Sequence, residues 1–207
     1  MGLIEEAGYV AEHQLVESIM KAIQKWNVLS EKTILKYPIF SLHELESASA
    51  QDPQKRGRFV SLNCPNWVNV IALTPEQRIV FVEQYRHGIR EITWEIPGGL
   101  CDGDEEPMQT GIRELAEETG FVGEQAEIIG VVQPNPAYQN NRCHTIIVHN
   151  VRCVQEQHLD EHEEIRITTY SLEEVEELVS QGVIQNAMVI SALYFFDRWR
   201  STKKNSF

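Results

Sequence analysis

Along most of this chain apolar and polar positions alternate in short runs, and only a few stretches switch to the three- and four-residue spacing of helices. RFVSLN from Arg58, WVNVIAL from Trp67, RIVFVEQYR from Arg78, ITWEI from Ile92, AEIIGVVQ from Ala126, CHTIIVHNV from Cys143 and IRITTYSL from Ile165 are rich in β-branched and aromatic residues. Turn-forming residues such as Cys64-Pro65-Asn66 and Thr74-Pro75-Glu76-Gln77 separate the first of these runs, so they read as successive strands. Helical spacing is expected over residues 3 to 26, through Val10, Leu15, Ile19, Ile23 and Trp26, and again over 172–180 and 186–200. Met108, Ile112 and Leu115 make a further apolar stripe, with Pro107 where a helix begins and Gly120 where one ends. Thr33 to Leu45 reads as one or two short strands, and Ser47 to Gly57 as a hairpin connection or linker. The expected class is α+β, a mixed sheet with helices on its faces, organised as an N-terminal helical and strand extension over 1–57 and a main domain over 58–207.

Composition narrows the partners. The chain has 207 residues, 42% of them hydrophobic, enough for one sizeable core with an added element. A net charge of -13 argues against nucleic acid held by a general basic field, and an anionic ligand would need local cations or a metal. No apolar run reaches membrane-span length, and MGLIEEAGYVAEHQL lacks the basic-then-apolar layout of a signal peptide, so a cytoplasmic protein is expected, with no membrane partner. Cys64, Cys101, Cys143 and Cys153 show no C-x-x-C spacing and read as reduced. His158 and His162 lack the partners of a zinc site.

Chemistry concentrates in one segment. On the helix that ends at Gly120, Glu114 lies three and four places from Glu117 and Glu118, spacings at which like charges repel. A solvated acidic face is the bland reading of such a run. A divalent cation is the sharper one, because it turns the repulsion into coordination by hard oxygen ligands. Around the glutamates, Gly99, Glu105, Arg113 and Gly120 complete the pattern G-x5-E-x7-R-E-L-x-E-E-x-G-F from Gly99 to Phe121. This resembles the Nudix box at every defined position, and the likeness extends over roughly residues 58 to 200.

The resemblance implies an α/β/α sandwich on a mixed sheet and a hydrolase acting at a diphosphate with two or more Mg2+ ions, Mn2+ being a substitute. By that likeness Glu114 and Glu118 are metal ligands, Glu117 serves a second metal or its water, the Gly98 carbonyl completes a site, and Arg113 with Glu105 forms the ion pair that fixes the turn against the helix. Gly99 and Gly120 are the glycines that shape the two ends of the box.

Within that family three features are similar to the ADP-ribose and nucleoside-diphosphate-sugar pyrophosphatases. Pro136 follows Gly120 by sixteen places, LDEHEEIRI is similar to the acidic loop that supplies a catalytic carboxylate, and the chain ends in paired helical patterns. Glu163, with Glu161 as the alternative, is the expected general base, and Arg86 matches an arginine that binds the substrate phosphates. After Pro136 the loop reads Ala137-Tyr138-Gln139-Asn140-Asn141-Arg142, with amides where ADP-ribose enzymes usually carry Gly-Gly and a glutamate. Tyr138, Gln139 and Asn141 are therefore candidate contacts to a nucleotide sugar, and Trp26, Tyr37, Phe40 and Trp67 candidate stacking partners for a base. The likeness further implies a homodimer in which N-terminal segments are exchanged. GDP-mannose, a dinucleoside polyphosphate, or a sensing role without cleavage are the rival readings.

Overall fold

The structure, a computed structural model, describes residues 24–204. Most of the expected first helix lies outside them, and Gln24, Lys25 and Trp26 are irregular. The chain divides into two compact units, 1–62 and 63–207.

In the first unit β1 (Asn27–Lys36), β2 (Ser41–Ala48) and β3 (Arg56–Asn63) form a three-stranded sheet in the order β1-β2-β3, with β1 and β2 antiparallel. The expected boundary at residue 57 falls inside β3, and the unit closes at Leu62, because β3 pairs with β2 rather than with the strands that follow. β1 is exposed along its whole length, and Val28, Leu29, Ile34, Leu35, Phe59 and Val60 all face solvent.

The second unit carries β4 (Trp67–Ala72), β5 (Ile79–Arg86), β6 (Glu91–Glu95), α1 (Pro107–Thr119), β7 (Phe121–Val122), β8 (Gln125–Val132), β9 (Cys143–His149), β10 (Arg152–Cys153), β11 (Ile165–Tyr170), α2 (Leu172–Ser180) and α3 (Ala187–Lys204). Strands run in the orders β11-β5-β6 and β4-β9-β8, with β4 and β9 parallel and the other pairs antiparallel, so the sheet is mixed. The bridge Leu73↔Ile79 links the end of β4 to β5, and Trp67↔Leu100 pairs the start of β4 with the segment after β6. β5, β6, β8 and β9 are strands that β-branched and aromatic content made legible. β7 and β10 are two residues long, too short to leave a pattern.

Alternation along β4 sorts the core into two layers. Val68, Val70 and Ala72 pack with Ile146, Val148 and Leu115 of α1, whereas Ile71 and Leu73 pack with Phe81, Ile147, Val175 of α2 and Val189, Ala192 and Phe196 of α3. Helices therefore cover both faces, the α/β/α arrangement expected. Ser171 caps α2 through a complete capping box with Glu174, which is why the sequence places its start so well.

Of the stripe read in the sequence, Leu115 is buried and Met108 packs against the same core, but Ile112 turns outward. Ile112 is 45% exposed, and the buried residues are Thr110, Gly111, Leu115, Glu118 and Thr119. Gly111 sets this rotation: a Cβ there would meet Ile146 Cδ1 at 2.5 Å, so the helix lies directly on the sheet along its glycine and presses a glutamate, not an isoleucine, inward. Among the described residues no helix is long and apolar enough to cross a membrane.

Candidate active site

Pro97–Leu100 crosses the end of β4 and hands α1 its partner. Val70 N–H donates to the Pro97 carbonyl (2.8 Å) and Val68 N–H to that of Gly99 (2.9 Å). Alternate residues of an extended segment point their polar groups to opposite sides, so Gly98 turns its own N–H and C=O away from β4. Its N–H donates to Glu118 Oε2 at 3.0 Å. Gly98 is sterically required, since a Cβ there would lie 2.1 Å from the Val68 carbonyl oxygen, whereas a Cβ on Gly99 would lie 2.5 Å from the Glu114 carboxylate and displace that side chain. At the far end of α1, Gly120 adopts φ 70 in the left-handed region and donates to the Ala116 carbonyl, the expected C-cap.

Arg113 organises the outer carboxylates. It donates to both Glu105 oxygens (3.2 and 3.0 Å), and its Nη1 reaches Glu117 at 2.8 Å and Glu114 at 3.0 Å. Thr110 Oγ1 also donates to Glu105 (2.9 Å), and the Arg113 guanidinium with this hydroxyl holds the Glu105 carboxyl below the usual range. Glu114 and Glu118 behave oppositely. Burial raises both: Glu118, 4% exposed, is pushed up to about 8, with the Gly98 N–H working against that shift and the charges of Glu114 and Glu163 adding to it.

The cleft above these groups has a volume of about 550 Å³, and its walls include Gly98, Gly99, Arg113, Glu114, Glu117, Glu118, Arg86 and Glu163. Arg86 enters from β5, held by a two-point pair with buried Glu95 (Nε–Oε1 2.9 Å, Nη2–Oε2 2.8 Å) that leaves Nη1 with no hydrogen-bond partner among the described residues. Trp67 lines the same cleft and an adjoining pocket of about 740 Å³, walled by Ile89, Ile92, Trp94 and Asn186. Among the described residues no three His, Cys, Asp or Glu side chains already surround one point as ion ligands, and Arg113 Nη1 takes the position between Glu114 and Glu117.

Several residues singled out in the sequence are not brought to this cleft. Glu161 is exposed and absent from its walls. Asn141 is buried and donates to the Pro65 carbonyl (3.0 Å), Tyr138 is exposed, and neither these two nor Gln139 and Pro136 line the cleft. Within the first unit taken alone, Trp26 packs edge-on against Phe59 at 5.5 Å, and Tyr37 against Phe40 at 5.3 Å. The cleft adds residues that sequence reading passed over: Gln84, Asp102, His158 and Asp160. Gln84 was findable, since it lies two places before Arg86 on one strand and so shares its face, and Asp160 stands in the same acidic run as Glu163.

Comparison with known proteins agrees with this geometry. The NUDIX domain model matches residues 65–192. The chain is 30% identical over 171 residues to the ADP-ribose pyrophosphatase of Bacillus subtilis, covering 81% of this chain and 92% of that protein. It is 28% identical over 181 residues to the methanol dehydrogenase activator of Bacillus methanolicus, covering 85% and 97%. A crystal structure of an ADP compounds hydrolase superposes with a TM-score of 0.77 at 18% identity, covering 88% of this chain and 97% of the other, a likeness of fold. With its box glycines, glutamates and arginine gathered at one cleft and a domain match over most of its length, this chain belongs to the Nudix hydrolase family.

Proposed function

We propose that this protein is a pyrophosphohydrolase dependent on Mg2+ or Mn2+ that cleaves the diphosphate of ADP-ribose, or of a related nucleoside diphosphate sugar, to a nucleoside monophosphate and a sugar phosphate. One observation carries the reading: Glu114, Glu117, Glu118 and Glu163 share a single cleft with Arg86 in a strongly acidic protein. The name of the Bacillus subtilis relative favours ADP-ribose among the candidates.

The donor set suits a hard cation. All of its side-chain donors are carboxylates, Glu118 is buried against like charges that raise its pKa, and the Gly98 carbonyl faces the same side as the N–H bound to Glu118. Glu114, Glu117, Glu118 and the Gly98 carbonyl would hold two or more ions, once Glu114 and Glu117 exchange Arg113 for them. Bound metal supplies charge neutralisation at the diphosphate and acidity to a water. Arg86 Nη1 pairs with a phosphate oxygen while Glu95 fixes its plane. Glu163 takes the proton of the attacking water as the new P–O bond forms and the bridging P–O bond breaks, leaving the second phosphate with the displaced electron pair.

A panel of nucleotide sugars and a dinucleoside polyphosphate, assayed with Mg2+ and product masses, tests this. Phosphomonoester products from ADP-ribose are expected, and binding without any cleavage would make the protein a sensor instead. In the same assay Glu163→Gln should lower kcat by about 10²-fold with little change in the Mg2+ midpoint. Near wild-type kcat would move the base to another loop carboxylate.

We propose further that the first unit makes the protein a homodimer, since β1 and β3 leave Val28, Leu29, Ile34, Leu35, Phe59 and Val60 in water. Sedimentation equilibrium should give twice the chain mass of 23.8 kDa, and a monomer at micromolar concentration would overturn this.

A further inference from the structure

The loop that carries Glu163 is tied to the glutamate helix by a set of hydrogen bonds. The last turn of a helix leaves its carbonyls without intrahelical partners. Here the 154–158 segment supplies them. Val154 N–H donates to the Gly120 carbonyl (3.0 Å), the Gln155 amide to that of Ala116 (3.3 Å), His158 N–H to that of Glu117 (2.8 Å) and the Gln157 amide to that of Glu118 (2.6 Å). Gln157 does more than cap. Its Nε2 also donates to the Ile165 carbonyl at 3.3 Å, the first residue of β11. Both acceptors are carbonyl oxygens, which cannot donate, so only the nitrogen of the amide can face them.

One side chain thus pins the two ends of the 158–164 loop, one end to α1 and the other to the sheet. Between those ends lie Asp160 and Glu163, both in the walls of the cleft. Within the span, Glu163 N–H donates to the Asp160 carbonyl (3.0 Å) and Asp160 N–H to Glu163 Oε2 (3.1 Å), so the loop closes on itself, and among the described residues its hydrogen bonds to α1 come from His158 and Gln157. The backbone held by Gln157 is that of Glu118, whose side chain is fixed by Gly98. Gln157 therefore ties the position of the loop carboxylate to that of the buried glutamate.

We infer that Gln157 is a positioning residue, acting through Glu163, that sets the distance between the loop carboxylate and the Glu114, Glu117 and Glu118 cluster. This rests on the reading of Glu163 as general base, and the test separates the two. In a double-mutant cycle, Gln157→Leu and Glu163→Gln are measured singly and together by kcat, KM and the Mg2+ midpoint, with Gln157→Glu as a second variant that keeps length but removes the donor. Gln157→Leu and Gln157→Glu should each lower kcat by 10-fold or more while KM and the Mg2+ midpoint stay within 2-fold. In the Glu163→Gln background, Gln157→Leu should change kcat by less than 2-fold, because the group it positions is gone.

A drop in kcat of the same size in both backgrounds would overturn the positioning role, as would wild-type kcat in Gln157→Leu. If Glu163→Gln alone keeps full kcat, the assignment of the base fails, and an unchanged effect of Gln157→Leu in that background then rejects the coupling too. Should Gln157→Leu prove too unstable to assay, Gln157→Glu carries the same cycle.

Discussion

Replacing Glu118 with glutamine should abolish turnover while leaving the fold intact. Glu118 is the most buried of the cluster, and its Oε2 accepts the Gly98 N–H at 3.0 Å. Glutamine keeps that acceptor and the side-chain volume, so the strand-to-helix crossing through Gly98 and Gly99 is preserved. It removes the negative charge needed to hold a hard cation, and a kcat loss on the order of 10³-fold, about 4 kcal/mol of transition-state stabilisation, is expected. Because a buried charge is exchanged for a neutral amide, the melting temperature of the metal-free protein at pH 8 should hold or rise. Alanine is the contrasting substitution: it leaves the Gly98 N–H unpaired in a buried site and should lower stability as well as activity. Wild-type kcat for Glu118→Gln at saturating Mg2+ would remove Glu118 from the metal set.

The succession of strands and both C-terminal helices are legible because β-rich residue content and helical periodicity are local signals. β4 and β9, buried on both faces, still read as strands through their Val and Ile content. The rotation of α1 was not legible. Met108, Ile112 and Leu115 suggested the buried face, yet what decides it is Gly111, whose missing side chain allows contact with Ile146 on a strand more than thirty residues away. A hydrophobicity pattern weighs the side chains that are present and gives no weight to a close approach.

At the site, the glutamates of α1 were readable because their spacing sets them on one helix face, and Arg86 through the family resemblance, and all of them line the cleft. The choice between Glu161 and Glu163 was not. It depends on how the 158–164 loop is folded back, through backbone hydrogen bonds between Asp160 and Glu163 and the amide of Gln157, and none of these contacts follows from residue type. The amide loop after Pro136 shows the opposite failure: polar residues that look ready for a ligand are partly spent on structure. Asn141 holds the Pro65 carbonyl, and Asn140 receives the Cys64 N–H while donating to Asn63.

Without metal, the protein should lose stability as pH rises from 5 to 9, and bound metal should offset that loss. Burial pushes the Glu118 carboxyl up from 4.5 to about 8, aided by the charges of Glu114 and Glu163 and opposed by Gly98 N–H and Arg86. The folded state therefore holds a proton that the unfolded chain has released between those two values. Its stabilisation is fully present below pH 4.5 and is lost as pH rises through about 8, at roughly 1.4 kcal/mol per pH unit and on the order of 5 kcal/mol in all. Burial raises Glu114 in the same sense. Glu95 and Glu105, which Arg86 and Arg113 hold below the usual range, act only at the acidic end and do not cancel this slope. A cation needs the ionised carboxylate, so the apparent Mg2+ affinity should weaken about tenfold for each pH unit below 8. Thermal melts across pH 5 to 9, with and without Mg2+, should thus start together and diverge: EDTA-treated protein melts lower as pH rises, and the Mg2+-induced increase in melting temperature grows. Glu118→Gln should flatten the metal-free curve and remove most of the Mg2+ response. A flat wild-type curve in EDTA would show that Glu118 is ionised in the folded protein throughout, and would reject the cleft as a dry, proton-holding cation site.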